Sequence, residues 1–336
     1  MKVVSRIYTA LLNPYLGYSM LKYKLVSAYV NKNINNYQDM FDFELKSGFL
    51  YTRLRSQVTL GYEPNLFNPK TLNEKLIHRR LFSRDPIWPI VTCKIEVRKW
   101  LGEQSYLGLV DLINANVAYS VEEVLSLPID RPVVVKAAWA SGMNLFVSSN
   151  EELQQYKDIL QEWYDSPYAV GRLIWAANSM KRGFIVEDSI ASKDGEMPLD
   201  YKFFCFDGKA AFMQITFYES NKPKIMCFSR EGKEEKWTYV YPKPNLDFKL
   251  DLIKFNLLLE KAEKIAEKFS FIRVDLYFHN GKVYFGELTQ TPTSGFGLFT
   301  DPEVALELGE KWNYPNIEKL GDKLLDNSEY CGFYEK

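Results

Sequence analysis

The chain has 336 residues, 46% of them apolar and 25% charged, which is the composition of an ordinary folded protein with room for two or three domains. Its 42 lysines and arginines nearly balance 43 aspartates and glutamates, so a net charge of -1 gives no overall field to attract nucleic acid, and no such partner is expected. Two histidines and four widely spaced cysteines exclude a multi-histidine metal centre and disfavour a zinc knuckle or disulfide framework, so any metal must be bound by oxygen and the cysteines should be reduced, buried thiols.

The first 32 residues are basic and rich in aliphatic and tyrosine side chains. Five basic residues precede the first acid, which is Asp39; they are Lys2, Arg6, Lys22, Lys24 and Lys32. Arg6 interrupts the apolar run too early for a signal peptide, and no 18-residue apolar span occurs, so a cytoplasmic protein is expected. Residues 1–32 are interpreted either as helices packed on the protein surface or as a peripheral contact with the inner face of the cytoplasmic membrane.

Helices are predicted as far as Trp100, and strands appear after it. Thr71 followed three residues later by Glu74 is typical of a capping box at the start of a helix. The elements predicted next are a strand at 132–136, a helix at 151–163 and a strand that ends with 184–187.

Two hairpins and one long helix are predicted in the last third of the chain. Asp207-Gly208 is a turn signal between two strand-like runs, and apolar residues at helical spacing between Leu252 and Phe269 predict a helix whose apolar face is core. The predicted strands are 201–206 and 210–217 in the first hairpin, and 271–278 and 282–289 in the second.

The second hairpin carries polar residues where strands usually bury apolar ones. They are Arg273, Asp275, Glu287 and Thr289. Two carboxylates on neighbouring strands repel each other and lose hydration unless a cation lies between them, so Asp275 and Glu287 are a candidate magnesium site. The alternative is that both carboxylates face solvent on a half-exposed strand.

The register of this hairpin tests the magnesium hypothesis. If residues 280–281 form a two-residue turn with regular pairing, Asp275 and Glu287 project from opposite faces of the sheet and cannot share a metal. If residues 279–281 form a three-residue loop, Arg273, Asp275 and Glu287 all project from one face. The hypothesis requires the second register or an equivalent bulge.

These motifs resemble the ATP-grasp superfamily, whose D-alanine–D-alanine ligase branch carries Arg-x-Asp, a hairpin and Glu-x-Asn. More narrowly, the chain resembles the TupA-like ATP-grasp family of surface-polysaccharide synthesis from about residue 60 to residue 309. The segments that carry this resemblance are 68–75, 93–98, 200–209, 273–277 and 286–289. The resemblance implies an α+β ATP-grasp fold in which two α+β subdomains clamp ATP, with a helical N-terminal extension.

The resemblance also implies four consecutive regions. They are a helical N-terminal extension (1–75), an N-terminal ATP-grasp region (76–130), a small subdomain (131–190) and a large subdomain with the Mg2+ and ATP site (191–336).

The resemblance implies a role for each matched residue. Mg2+ would be bound by Asp275, Glu287 and Thr289. Arg273 would stabilise the transferring phosphoryl group, and Lys202 is the second candidate catalytic residue. The candidate ATP-binding residues are Lys94 and Lys136 at the phosphates, Glu187 in a hinge strand (185–188) whose backbone would bind the adenine edge, Ser141, and Ser294 and Gly295 near the acyl phosphate.

The activity implied is that of an ATP-dependent carboxylate–amine ligase that forms an amide through an acyl phosphate. The carboxylate would belong to a hexuronic acid of a capsule or O-antigen sugar and the amine to an amino acid or amino alcohol, with the reverse assignment left open. Two departures bear on this: the loop 138–144 has a single glycine, and 218–220 replaces an Asp-Arg pair. The competing hypotheses are a sugar transferase that uses no ATP and a degenerate ATP-grasp scaffold that binds nucleotide without catalysis.

Overall fold

The computed structural model of the protein describes residues 14–168, 170–191, 198–220 and 222–314. The chain forms two compact units. The first, called the helical unit, comprises residues 1–83, 169–175 and 291–336; the second, called the sheet unit, comprises residues 84–168 and 176–290. Both units are assembled from separated stretches of chain. The division into four consecutive regions stays a prediction.

Twelve α-helices are formed by the described residues. In chain order they are α1 (Pro14–Asn33), α2 (Tyr37–Lys46), α3 (Leu50–Leu60), α4 (Leu72–Phe82), α5 (Ile87–Val91), α6 (Glu96–Glu103), α7 (Val121–Ser126), α8 (Asn150–Gln155), α9 (Lys157–Asp165), α10 (Trp175–Ser179), α11 (Leu252–Ala266) and α12 (Pro302–Lys311). Two 3-10 helices, Val170–Arg172 and Pro292–Gly295, belong to the helical unit.

Helix α4 begins as the sequence predicts. The Thr71 hydroxyl accepts a hydrogen bond from the Glu74 backbone N–H at 3.2 Å, and the Glu74 carboxylate accepts one from the Thr71 N–H at 3.0 Å. Two N–H groups that a helix start leaves unpaired are thereby satisfied. The predicted helix at 151–163 is instead two helices, α8 and α9, separated at Tyr156, and Leu153 and Leu160 are buried on either side of that break.

In the described part of the sheet unit, nine strands form two antiparallel sheets. They are β1 (Ala115–Ala118), β2 (Val133–Ala137), β3 (Asn144–Val147), β4 (Phe184–Asp188), β5 (Asp200–Phe206), β6 (Lys209–Glu219), β7 (Lys222–Ser229), β8 (Phe271–His279) and β9 (Lys282–Thr289). The four-stranded sheet has the order β1-β4-β2-β3 and the five-stranded sheet the order β7-β6-β5-β8-β9. The sequence did not predict β1, β3 or β7.

One face of the five-stranded sheet is buried against a helix, and polar side chains project from the other face. Helix α11 packs on β5, β6 and β8, where the Phe255 and Phe203 rings lie 6.1 Å apart. Phe203 pairs with Val274, and both are buried. Because side chains alternate along a strand, the neighbouring pair, Lys202 and Asp275, projects from the opposite face.

None of the helices described combines the length and the apolar character needed to cross a lipid bilayer. Cys93, Cys205 and Cys227 are free and buried, as expected from the sequence, and burial raises the pKa of all three thiols. Cys331 and residues 1–13 of the basic N-terminal segment lie outside the described residues.

Candidate active site

The register of the second hairpin brings the two candidate metal ligands together. The turn at 280–281 has two residues, so the three-residue loop is not formed. Pairing is regular from this turn to Phe285, and the register then shifts, with Gly286 as the extra residue of a β-bulge. Asp275 therefore lies directly opposite Glu287, and both side chains project from one face. This is the equivalent bulge that the magnesium hypothesis requires.

Arg273 links the two carboxylates. Its Nε donates a hydrogen bond to Asp275 Oδ1 at 2.7 Å, and its Nη2 donates to Asp275 Oδ2 at 2.6 Å and to Glu287 Oε1 at 2.6 Å. The Thr289 hydroxyl donates to the same Glu287 oxygen at 2.8 Å. The four polar residues of the hairpin therefore form one hydrogen-bonded group, which strengthens each bond in a buried setting.

Strand β5 adds two residues to this group. Lys202 pairs in register with Asp275, and its Nζ donates to Asp275 Oδ2 at 3.0 Å and to the carboxylate of Asp200. Asp200 was not identified as a site residue from the sequence. The signal was its spacing of two from Lys202, which places both on one face of a strand. Its Oδ1 is buried and has no hydrogen-bond partner among the described residues.

Burial and the nearby positive charges act in opposite directions on the pKa values of the two candidate ligands. Burial alone would raise the pKa of Glu287, but the positive charges of Arg273, Lys94 and Lys202 outweigh it and lower that pKa to about 2. Burial raises the pKa of Asp275, against the opposing effect of Arg273 and Lys202. Glu287 is therefore an ionised oxygen ligand at neutral pH, whereas at Asp275 burial outweighs the two cations and the pKa stays raised.

Lys94 is held against the loop that follows β2. Its Nζ donates to the carbonyl oxygen of Ala137 at 3.2 Å and to that of Ala140, and its own N–H donates to Ala138 O at 3.1 Å. Burial lowers the pKa of Lys94, and the charge of Glu287 partly offsets this. The ammonium group is therefore close enough to Glu287 to act on it electrostatically.

Lys136 is paired with the acid expected near the ribose. Its Nζ lies 2.5 Å from Glu187 Oε2, and Arg98 Nη1 lies 3.2 Å from Glu187 Oε1. Arg98 belongs to the 93–98 segment but was not identified as a site residue. The contact between Lys136 and Glu187 depends on the adjacency of β2 and β4, which the sequence does not specify.

The hinge strand is an interior strand of its sheet. Strand β4 lies between β1 and β2, which pair with it on both sides. The interpretation that the backbone of 185–188 binds the adenine edge stays a prediction. Beyond the strand, Ser189 N–H donates to Pro132 O at 3.0 Å. In the preceding loop, the Ser141 N–H donates to the Tyr168 hydroxyl at 2.8 Å.

Ser294 and Gly295 belong to the helical unit. Thr293, Ser294 and Gly295 have left-handed backbone conformations, with φ of 52°, 57° and 82°. Asn73 Nδ2 donates to Gly295 O at 2.9 Å, and a Cβ at Gly295 would lie 2.7 Å from Ile77 Cγ1. Only glycine suits that position, because both the φ angle and the space exclude a side chain. The assigned role at an acyl phosphate stays a prediction.

The donor set on the five-stranded sheet fits a magnesium ion bound partly by the protein. No group of three histidine, cysteine, aspartate or glutamate side chains with metal-binding geometry occurs among the described residues. Mg2+ in phosphate-transferring sites usually takes one or two carboxylates and completes its shell with water and phosphate oxygens. Asp275 and Glu287, together with the Asp200 Oδ1 that has no partner within the described ranges, supply hard oxygen atoms on one face of the sheet.

Several solved structures are similar to parts of the chain. D-alanine–D-alanine ligase from Helicobacter pylori is 14% identical, over 68% of this chain and 60% of that one, with a TM-score of 0.41. D-alanine–D-alanine ligase from Bacillus anthracis, complexed with ATP, is 16% identical over 74% of this chain and 69% of that one, with a TM-score of 0.37. L-amino acid ligase from Bacillus licheniformis is 12% identical over 61% and 44%, with a TM-score of 0.36.

A comparison with curated proteins found no match. The family described as TupA-like ATPgrasp, in contrast, matches residues 90–313, about two thirds of the chain. That match covers both sheets and every site residue of the sheet unit. It confirms the predicted family and, with the helices and two antiparallel sheets described above, the predicted α+β ATP-grasp fold. The chain belongs to the TupA-like ATP-grasp family.

Proposed function

We propose that the protein is an ATP-dependent carboxylate–amine ligase. The observation that carries the proposal is the direct pairing of Asp275 with Glu287 beside Arg273 and Lys202 in a chain of the ATP-grasp family. Paired carboxylates next to fixed cations form an arrangement that binds a metal–triphosphate complex and stabilises the charge of a transferring phosphoryl group.

The proposed reaction has two steps. A substrate carboxylate oxygen attacks the γ-phosphorus of ATP, and ADP leaves, which forms an acyl phosphate. The amine nitrogen then attacks the acyl carbon, inorganic phosphate leaves, the amine loses a proton to water, and an amide remains.

The residues of this chain contribute charge and position to these steps. Bound magnesium would draw electron density from the phosphate oxygens, and Asp275 and Glu287 would hold it. Arg273 and Lys202 donate hydrogen bonds to Asp275 and would present positive charge beside the phosphoryl group. Lys94 and Lys136 would reach the remaining phosphate oxygens.

We further propose that the carboxylate belongs to a hexuronic acid of a capsule or O-antigen sugar and that the amine belongs to an amino acid or amino alcohol. The resemblance to a family of surface-polysaccharide synthesis supports this assignment. The reverse assignment, with the amine on the sugar, predicts that amino sugars rather than uronic acids stimulate ADP release.

Release of ADP tests the ligase. With Mg2+ and ATP, release should require both a uronic acid and an amine. Asp275→Asn and Glu287→Gln should each reduce it roughly a hundredfold or more. Glu260→Gln, on the exposed side of α11 in the same unit, is the matched control and should leave it unchanged.

The same assay separates the competing functions. Binding of a nucleotide sugar with no ATP consumption would establish the sugar transferase instead. Binding of Mg-ATP with no ADP release under any substrate pair would establish the degenerate scaffold. Unchanged release by Asp275→Asn and Glu287→Gln would refute the site.

We also propose that α1 lies on the anionic inner face of the membrane. Large apolar side chains, each more than half exposed, recur along one side of this helix at spacings of three and four; they are Tyr15, Tyr18, Leu21, Leu25 and Tyr29. Lys22, Lys24 and Lys32 accompany them, with no acid in α1. Exposed apolar groups beside basic ones suit an anionic lipid surface.

Sedimentation with vesicles tests this location. The protein should bind vesicles containing phosphatidylglycerol and not pure phosphatidylcholine. The double variant Leu21→Ser/Leu25→Ser should lose most of this binding, whereas Ile253→Ser, an exposed apolar residue of the sheet unit, should retain it. Equal binding by both variants would refute the proposal.

A further inference from the structure

Three arginines cluster in the helical unit. The Cζ atoms of Arg55 on α3 and Arg80 on α4 lie 4.2 and 5.1 Å from the centroid of the Phe296 ring. Arg80 Nη1 donates to the backbone oxygen of Arg172 at 2.6 Å, which fixes the 3-10 helix Val170–Arg172 beside α4. Arg80 is buried, Arg55 is partly buried and Arg172 is exposed, so the cluster extends from the interior to the surface.

Among the residues that the structure describes, carboxylates do not balance the positive charge of this cluster. Glu44 is the acid whose charge acts on Arg80, and it accepts hydrogen bonds from the backbone N–H groups of Tyr51 and Thr52 at 3.1 and 2.9 Å. None of the three arginines forms an ion pair with another described residue. Arg55 and Arg172 repel each other, and burial together with this repulsion lowers the pKa of Arg55. In the described part of the cluster, three arginines are therefore accompanied by one carboxylate whose charge acts on Arg80.

Hydrogen-bond donors are also in excess. Arg80 Nη2 donates to Thr52 Oγ1 at 3.1 Å, but Arg80 Nε is buried and has no partner among the described residues. The hydroxyl of Tyr23 donates to that of Tyr51 at 3.5 Å, and the charge of Arg55 acts on both tyrosines. A buried donor without an acceptor costs free energy, so an oxygen-rich ligand would stabilise this cluster.

We propose that Arg55 and Arg172 bind a phosphate group and that the buried Arg80 holds both of them in position. Two uncompensated positive charges match a phosphate monoester, which carries close to two negative charges at neutral pH, better than they match a carboxylate, which carries one. Guanidinium groups suit phosphate oxygens because their N–H donors form paired, charge-assisted bonds. The assignment concerns the helical unit alone and does not rest on the proposed ligase reaction.

The phosphate could be free or part of an ester, and ligand choice distinguishes the two. Binding of inorganic phosphate, glucose 1-phosphate and glucuronate is measured by calorimetry at constant ionic strength. Tighter binding of glucose 1-phosphate assigns the site to a sugar phosphate, and equal binding assigns it to phosphate itself. Both outcomes support the proposal. Equal binding of glucuronate, or no binding of either phosphate, overturns it.

Variants show whether the binding occurs at this cluster. Arg172→Gln changes an exposed side chain, so the protein should still fold, and affinity for the phosphate ligand should fall roughly ten- to a hundredfold. Arg55→Gln should have the same effect, with Arg55→Lys recovering part of the affinity.

Two controls exclude other sites. Arg53→Gln, a neighbouring arginine on α3 that pairs with Glu63, should bind phosphate as the unmodified protein does. Lys94→Met removes a cation of the candidate ATP site and should also leave this binding intact. If Lys94→Met abolishes phosphate binding while Arg172→Gln and Arg55→Gln retain it, the ligand occupies the nucleotide site and the proposal is wrong.

Discussion

A Cβ atom on Gly286 would lie 2.9 Å from the backbone oxygen of Asp275, closer than side chains approach in folded proteins. The bulge that aligns Asp275 with Glu287 therefore requires glycine at this position. Gly286→Ala should move the two carboxylates out of their direct pairing, because either strand must shift to accommodate the methyl group. We expect ADP release to fall roughly a hundredfold, as is typical when catalytic groups are displaced by about 1 Å.

A second glycine of the same hairpin provides the control for this prediction. Gly281 has a φ of 75°, and nothing lies within 4 Å of a Cβ built on it. Asparagine tolerates that backbone conformation, so Gly281→Asn should keep near-normal activity. Equal activities for Gly286→Ala and Gly281→Asn, in proteins with matching circular dichroism spectra, would show that the bulge does not position the site.

The sequence predicted the hairpin but not its register. Alternation and turn signals locate β8 and β9 because they depend on residues near one another in the chain. The Gly286 bulge depends on how two strands pair, and a one-residue difference moves a side chain to the opposite face. Two-residue and three-residue turns were both compatible with the residues at 279–281, and only the pairing distinguishes them.

Contacts between strands that are far apart in the chain could not be predicted from the sequence either. Lys136 and Glu187 were assigned to phosphate and ribose separately, yet adjacency of β2 and β4 pairs them. Asp200 was not predicted to be a site residue, because an acid at the start of a strand is also common at turns and caps. The capping box at Thr71, in contrast, was predictable because all its atoms lie within four residues.

Thr289 stands where the ligase branch described above carries asparagine, and its hydroxyl donates to Glu287 at 2.8 Å. Thr289→Val keeps the shape and removes this hydrogen bond. The Mg2+ concentration for half-maximal ADP release should then rise about tenfold, since groups that orient a ligand affect metal affinity to this extent. Thr289→Asn restores a polar group, so its Mg2+ concentration for half-maximal ADP release should remain within about threefold of that of the unmodified enzyme. Identical Mg2+ titrations for Thr289→Val and the unmodified enzyme would contradict the role.

Lys94 and Lys136 should differ from surface lysines in their effect on ATP. Lys94→Met and Lys136→Met should each raise KM for ATP about tenfold or more, because each removes a charged hydrogen-bond donor. Lys99→Met on α6 is the matched control, as its side chain is 75% exposed. A lysine that contacts the transferring phosphate should also lower kcat, whereas one that contacts only the other phosphates should not. Unchanged KM in both variants would remove these lysines from the ATP site.

His78 should make the protein sensitive to mild acid. The ring is 3% exposed, its Nδ1 lies 2.8 Å from the Tyr314 hydroxyl, and its Nε2 has no partner among the described residues. Burial lowers the pKa of His78 from 6.5 to about 4. Below pH 6.5, His78 binds a proton in the unfolded chain, but in the folded chain it stays neutral until the pH falls to about 4. Stability is therefore lost as pH falls through that window, by about 2 kcal/mol between pH 7 and pH 5.

Urea unfolding at pH 7 and pH 5 measures this effect. In His78→Gln the loss of unfolding free energy between the two pH values should be smaller by about 2 kcal/mol, because glutamine does not titrate. His279→Gln replaces the other histidine of the chain, at the tip of the second hairpin, and should retain the original loss. Carboxylates also titrate near pH 5, so the comparison rests on the difference between variants, in which their contribution cancels. If the unfolding free energies of His78→Gln and His279→Gln fall by the same amount between pH 7 and pH 5, His78 is protonated in the folded protein and its burial does not control the acid response.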